Sequence, residues 1–182
     1  ITQPPMERLV TLRFACTGEL GESSERSLVL ELMGRNSNLI LCGEDGRIID
    51  CMRRVDLEMS EQRQVLPGLF YRLPPAQGKR DAMQTDADTL RALLAAVTEP
   101  KTFDSWLLET FGGISPLVCR ELAFRLTGSV DTDLAALDAA QRAELAGKLY
   151  DLLRALQSVP PQPVLLLESG APMDFTCLPV TQ

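Results

Sequence analysis

Histidine is absent from the 182 residues. That removes the usual general base near neutral pH, the Ser-His-Asp and Cys-His nucleophile arrangements, and imidazole ligands for a metal. Few enzyme classes survive. Cysteine is sparse: Cys16, Cys42, Cys51, Cys119 and Cys177 form an odd set without any Cys-x-x-Cys pair. This argues against a disulfide framework or zinc site and for thiols kept reduced in the cytoplasm. No apolar run approaches the about 18 residues of a membrane span. There is no phosphate loop of Gly-Lys-Ser type, and no pair of carboxylates is spaced for acid–base catalysis. "ITQPPMERLV" shows neither an initiator Met nor a signal-peptide pattern, and the expectation is a piece of a longer protein. No cofactor, membrane partner or small-molecule substrate is expected.

What is present is the composition of a globular chain, 45% hydrophobic and 24% charged, long enough for a real core. The net charge of −7 is uneven. Residues 1–34 hold three Arg against five acids, and residues 81–182 hold seven Lys/Arg against fourteen acids. Only residues 35–80 are net basic, with eight against six. An acidic chain with one basic stretch directs any contact with a polyanion to that stretch.

Hydrophobic periodicity predicts an α+β chain: an antiparallel sheet, a helical insertion, and a returning hairpin. In "RLVTLRFAC", Leu9, Thr11 and Arg13 alternate with Val10, Leu12 and Phe14, the period-two mark of a half-buried strand. "LVLELMG" and "NLILCG" are two further apolar runs, and Asp45-Gly46 signals a hairpin before the next. Pro67-Gly68 and Pro74-Pro75 predict a linker that leaves the sheet. Helical spacing of Leu90, Leu93, Leu94 and Val97 follows. "TFDSWLLETFGGISPLVCRELAFRLTG" reads as helix, tight turn, helix, with Thr102 and Ser115 as caps, Pro116 at a first position and Gly128 as terminator. One or two more helices precede "VPPQP", and a hairpin around Ser169-Gly170 closes the chain. The expected divisions are 1–83 for the β-rich part, 84–158 for the helical region and 159–182 for the hairpin.

Four stretches are candidates for function. "ELMGRNSNLIL" has apolar ends around a hydrogen-bonding centre, which is either a turn or a binding surface. "FGGIS" resembles the hairpin of a helix-hairpin-helix motif, in which backbone N–H groups cradle a phosphate. Ser115 stands there in place of the second hairpin glycine, and Glu109 and Glu121 flank it. Arg53 and Arg54, adjacent on a strand, reach opposite faces and read as a solvated surface. Arg63, before the Pro-Gly turn, is expected to point outward as the better ligand candidate. Glu7-Arg8 and Glu31 read, on residue type, as surface ion pairs worth about 0–1 kcal/mol. These residues support a binding module rather than an enzyme.

Taken in order, "ERLVTLRF", "LVLELMGRNSNLIL", "IID", "RRV", "LPGLFYRLPP", "FGGISPLVCREL" and "PMDFTCLPV" resemble the N-terminal domain of the NFACT proteins. This is a family of ribosome-quality-control factors also described as fibronectin-binding protein A-like. The resemblance covers nearly the whole chain and implies that the first part of the domain precedes Ile1. It implies a sheet similar to that of the DNA glycosylase N-terminal region, without the catalytic N-terminal proline of those enzymes. It also implies partners: tRNA, alanyl-tRNA in bacteria, and a large ribosomal subunit obstructed by peptidyl-tRNA, with C-terminal alanine tailing of the stalled peptide. The family's acidic-Arg pair falls on Glu7 and Arg8, its Glu-aliphatic-Met segment on Glu31, Leu32 and Met33, and its Gly-Arg-x-Ser-Asn signature on Gly34, Arg35, Ser37 and Asn38. Asn36 stands where members often have His. The alternatives are a surface adhesin that binds fibronectin and a glycosylase-like DNA-binding domain.

Overall fold

The computed structural model describes all 182 residues, Ile1–Gln182. They form two compact units, Ile1–Gln77 and Gly78–Gln182. Strands come first, helices next and a strand pair last, so the chain is α+β.

The first unit is a four-stranded antiparallel meander in chain order: β1 (Leu9–Thr17), β2 (Ser23–Glu31), β3 (Asn38–Cys42) and β4 (Ile48–Cys51). Leu9 lies opposite Glu31, and Val29 opposite Ile40. Side chains alternate along a strand, so this register places Leu9, Val29, Ile40, Glu31 and Asn38 on one face. On it Leu9, Val29, Ile40, Cys42, Ile48 and Val65 make the buried core. The other face carries Val10, Leu12, Leu28 and Leu30 half-covered, and Phe14 is 47% exposed. The alternation in β1 thus marks a strand, but its more apolar side is not its fully buried side. At the β3–β4 turn Gly46 takes φ +78°, Asp45 Oδ1 accepts from Arg47 N at 3.0 Å, and Gly46 N donates to Gly43 O at 3.0 Å.

The predicted linker needs correction at its start. Residues 65–71 do not leave the sheet; they pair along β4. Val55 and Val65 exchange backbone hydrogen bonds of 3.0 and 2.8 Å. Ile48 N donates to Leu69 O, and Gly68 N to Ile48 O, both at 2.8 Å. The open edge of β4 needs backbone partners, which Gly68 and Leu69 supply, and Val65, paired with Val55 just beyond β4, is only 1% exposed. Pro67-Gly68 makes a turn within this return, with Gly68 at φ +86°.

The second unit opens with β5 (Arg80–Asp81), α1 (Ala87–Ala95) and α2 (Phe103–Thr110). β6 (Phe111–Gly112) pairs in parallel with β5, and α3 (Pro116–Thr127) and α4 (Ala139–Ser158) follow. Leu90, Leu94, Phe103, Leu107, Leu122 and Leu149 are among its fully buried core residues. The helix boundaries have local causes. Asp86 Oδ1 accepts from Thr89 N at 2.7 Å, Ser115 Oγ accepts from Val118 N at 3.3 Å ahead of Pro116, and Gly128 ends α3 at φ +78°. Asp138 and Gln141 form a capping box at α4. Thr102 occupies the cap position of α2, but its hydroxyl donates to Ser105 Oγ and accepts no backbone N–H. The region before "VPPQP" resolves into a short 3₁₀ turn, Leu134–Ala136, and the single helix α4.

β7 (Val164–Glu168) and β8 (Ala171–Thr176) form their own two-stranded sheet around Ser169-Gly170, both at positive φ as a tight hairpin turn requires. The segment after β8 is held by Glu121 of α3, which is fully buried. Its carboxylate accepts from Arg125 Nε, Thr181 N at 2.8 Å, Thr181 Oγ1 at 2.7 Å and Gln182 N at 3.3 Å. No helix is long and apolar enough to cross a membrane.

Candidate nucleic-acid interface

The first unit places several of the sequence-predicted residues at one end of the sheet. Because β1 and β2 pair with Leu9 opposite Glu31, the residues just outside the ladder also meet: Leu32 N donates to Arg8 O at 2.8 Å. Arg8 therefore neighbours Leu32 and the segment that follows it. Glu7, Arg8, Leu32, Arg35 and Ser37 are exposed, and Met33 is half-buried. Neither Arg8 nor Arg35 enters an ion pair, whereas Arg54 lies 4.0 Å from Asp50 and Arg47 3.5 Å from Asp45.

Glu31, the last residue of β2, is not a surface ion pair. Its side chain is 3% exposed. Arg63 donates from Nη1 to Oε2 at 3.1 Å and from Nη2 to Oε1, a two-pronged clamp, while Tyr71 OH donates to Oε1 at 2.8 Å. Arg63 Nε donates to Arg72 O at 2.6 Å, so each nitrogen of the guanidinium has an acceptor. The outward orientation expected of Arg63 is thereby corrected: the buried carboxylate draws the cation inward, because an unpaired buried charge is costly. Burial, and then the hydrogen bond to Glu31, raise the Tyr71 hydroxyl well above its ordinary pKa, which keeps it a donor.

Beyond Glu31 the chain turns. Gly34 sits at φ +57°, and Gly34–Asn36 form one 3₁₀ turn with no buried residue. Ser37 N donates to Gly34 O at 3.0 Å, and Ser37 Oγ accepts from Met33 N at 3.0 Å. The polar centre of "ELMGRNSNLIL" is thus a turn, and its one cation projects from it. Asn38 is buried and faces inward. Its Nδ2 donates to Arg53 O at 2.8 Å, and its Oδ1 accepts from Arg53 N at 2.9 Å. Asn38→Ala is expected to destabilise the protein by about 1–2 kcal/mol, read by chemical denaturation, since both backbone groups of Arg53 lose their partner.

Arg53 lies after β4, and its Nη1 donates to Arg35 O at 2.5 Å and Asn36 Oδ1 at 3.3 Å. Next to the turn is a cavity of about 290 Å³ bordered by Met33, Asn36, Arg53, Met59, Arg63 and Pro74. Its wall mixes apolar surface with guanidinium and amide groups. No cluster of three His, Cys, Asp or Glu side chains is placed to hold a metal. Sequence reasoning missed Tyr71 and the inward part played by Arg53; neither has a local sequence signal, because their partners lie 40 and 18 residues away.

A family model described as NFACT N-terminal and middle domains matches residues 1–182. The chain belongs to the NFACT family. Among relatives of this NFACT chain, the Rqc2 homolog RqcH of Bacillus subtilis (strain 168) is 32% identical over 126 residues, which is 69% of the chain and 22% of that protein. The Rqc2 homolog RqcH of Streptococcus suis is 26% identical over 166 residues, 90% of the chain and 29% of that protein. The NFACT chain therefore spans less than a third of these relatives. Among solved structures, the fibrinogen binding protein from Staphylococcus aureus matches with a TM-score of 0.71 at 25% identity, covering 96% of the chain and 58% of that protein's chain. The N-terminal part of the fibronectin/fibrinogen-binding protein from Streptococcus suis shares the fold, with a TM-score of 0.69 at 22% identity over 98% and 57% of the two chains.

Proposed function

We propose that this NFACT chain is a non-catalytic RNA-binding module of a cytoplasmic ribosome-quality-control factor. It binds tRNA and the large ribosomal subunit obstructed by peptidyl-tRNA, and recruits alanyl-tRNA for C-terminal alanine tailing. Relatives that carry the name Rqc2 homolog RqcH support the quality-control setting. The observation that carries the RNA reading is the pair of exposed, unpaired guanidiniums of Arg8 and Arg35, presented from adjacent segments at one end of the sheet. Arginine meets phosphates and base edges, and hydroxyls such as that of Ser37 read shape and the ribose 2′-hydroxyl. A net-basic stretch in an acidic chain localises the contact.

α2, the connection 111–115 that contains β6, and α3 are read as a helix-hairpin-helix-type unit, and the four-stranded sheet as similar to the glycosylase N-terminal domain. Glu7, Leu32, Met33 and Ser37 complete the proposed contact surface. Glu31, Asn38 and Arg63 act on it from below by holding the backbone.

Arg8→Ala in the intact protein is expected to weaken tRNA binding about tenfold at fixed ionic strength, and to reduce the salt slope by about one phosphate contact. Unchanged affinity removes Arg8 from the surface. The second reading, an adhesin that binds fibronectin, is favoured by the fold shared with the fibronectin/fibrinogen-binding protein of Streptococcus suis. Co-sedimentation of the intact protein with large ribosomal subunits separates the two; cell-surface exposure without co-sedimentation decides for the adhesin.

A further inference from the structure

We infer that Arg53 is a positioning residue for RNA binding: its side chain fixes where the turn presents Arg35, without itself meeting the RNA. The inference rests on the RNA reading of Arg35 and gives a role to Arg53, which its residue type had marked only as a solvated surface.

The turn Gly34–Asn36 buries none of its residues. Apolar packing, which locates most backbone in a folded protein, therefore contributes little to its position. Beside it is the cavity bordered by Met33, Asn36 and Met59. Hydrogen bonds are left to hold it. Those closing the turn on itself, Ser37 N to Gly34 O and Ser37 Oγ to Met33 N, set its shape but not its place relative to the sheet. The ladder fixes its two ends, through the pairing of Glu31 with Asn38 and the bond from Leu32 N to Arg8 O, and Arg53 supplies the ties to the turn itself. Its Nη1 donates both to the carbonyl of Arg35, the residue whose side chain projects, and to the side-chain carbonyl of Asn36.

Arg53 is itself anchored. The buried Asn38, first residue of β3, bonds both its backbone N–H and its carbonyl. A continuous path thus runs from the sheet through Asn38 to the Arg53 backbone, along the Arg53 side chain, and onto the Arg35 carbonyl. The planar guanidinium suits this task, because one nitrogen can carry two hydrogen atoms toward two acceptors in fixed directions. An ammonium also has hydrogens for two acceptors, but on a flexible stem and in rotatable directions. Arg54, next in sequence, is exposed near Asp50 and makes no tie to the turn.

The test is a double-mutant cycle on the intact protein with an alanine tRNA transcript, at one ionic strength and again across a salt series. Arg35→Ala is expected to weaken binding about tenfold, and Arg53→Ala about three- to tenfold. The double variant is expected to bind no more weakly than Arg35→Ala, because a residue that acts only through Arg35 has nothing left to position. Arg53→Lys keeps the charge but loses the fork and is expected to retain most of the defect; it also serves if Arg53→Ala does not fold. Additive losses show that Arg53 meets phosphate directly and overturn the inference while the RNA reading stands. Loss of binding in Arg35→Ala with none in Arg53→Ala overturns it in the same way. Unchanged binding in Arg35→Ala removes both the inference and the placement of RNA at this turn.

Discussion

Glu31→Ala is expected to destabilise the protein by about 3–5 kcal/mol, the usual cost of removing one member of a buried ion pair. The carboxylate is 3% exposed and the Arg63 side chain 12%, so neither has ready access to water. After the substitution, Arg63 keeps its bond to Arg72 O but loses both contacts from Nη1 and Nη2, and Tyr71 OH loses its acceptor. The loss exceeds that of a surface pair because the remaining cation and hydroxyl stay partly desolvated. The double replacement Glu31→Leu with Arg63→Met is expected to be milder than Glu31→Ala, since it leaves no unpaired charge. Urea denaturation monitored by circular dichroism reads both. A single-variant change within 1 kcal/mol of wild type contradicts the picture of Glu31 as the buried anchor beneath the turn.

Glu121→Ala carries the second large effect, about 2–3 kcal/mol, and this one depends on pH. Burial by itself would raise the pKa of Glu121, but hydrogen bonds from Thr181 and Arg125 outweigh it and hold the carboxyl below its ordinary value of 4.5. A group depressed in the folded state stabilises above its unfolded pKa, and that contribution disappears as the pH falls through the folded value. Stability measured from pH 7 downward should therefore show a wide gap between wild type and Glu121→Gln that narrows below about pH 4. The same variant should lose amide-exchange protection at Thr181 and Gln182 while the interior of α3 stays protected. A gap that stays constant with pH, or full protection of both amides, would show that the carboxylate does not hold this segment.

Several elements were legible because their causes are local. Asp45-Gly46, Ser115-Pro116 and Gly128 each act within a few residues, and each marks the turn, start or stop that the structure contains. Leu90 and Leu94 lie at helical spacing and are both fully buried. Residues 65–71 were illegible for the opposite reason. Pro67-Gly68 does turn the chain, but the partner for this stretch is the edge of β4, some twenty residues back. Proline and glycine report backbone geometry, not where the chain goes next. Glu31 and Arg63 were both visible as charges, yet residue type favours solvent for each, and only a contact across 32 residues turns them inward.

By itself, the sequence determined that this is an α+β chain with the ordered residues of the NFACT family, without histidine and with one net-basic stretch from 35 to 80. It also determined that "ELMGRNSNLIL" holds a polar break between two apolar strands. Tertiary structure alone decided how that break is held: Glu31, Asn38 and Arg63 face inward, and Arg53 ties the turn from which Arg35 projects. The physical reason is one of range. Periodicity, caps and turns are set by interactions along a few residues of chain, whereas burial of a charge depends on which distant group the register of the sheet brings beside it.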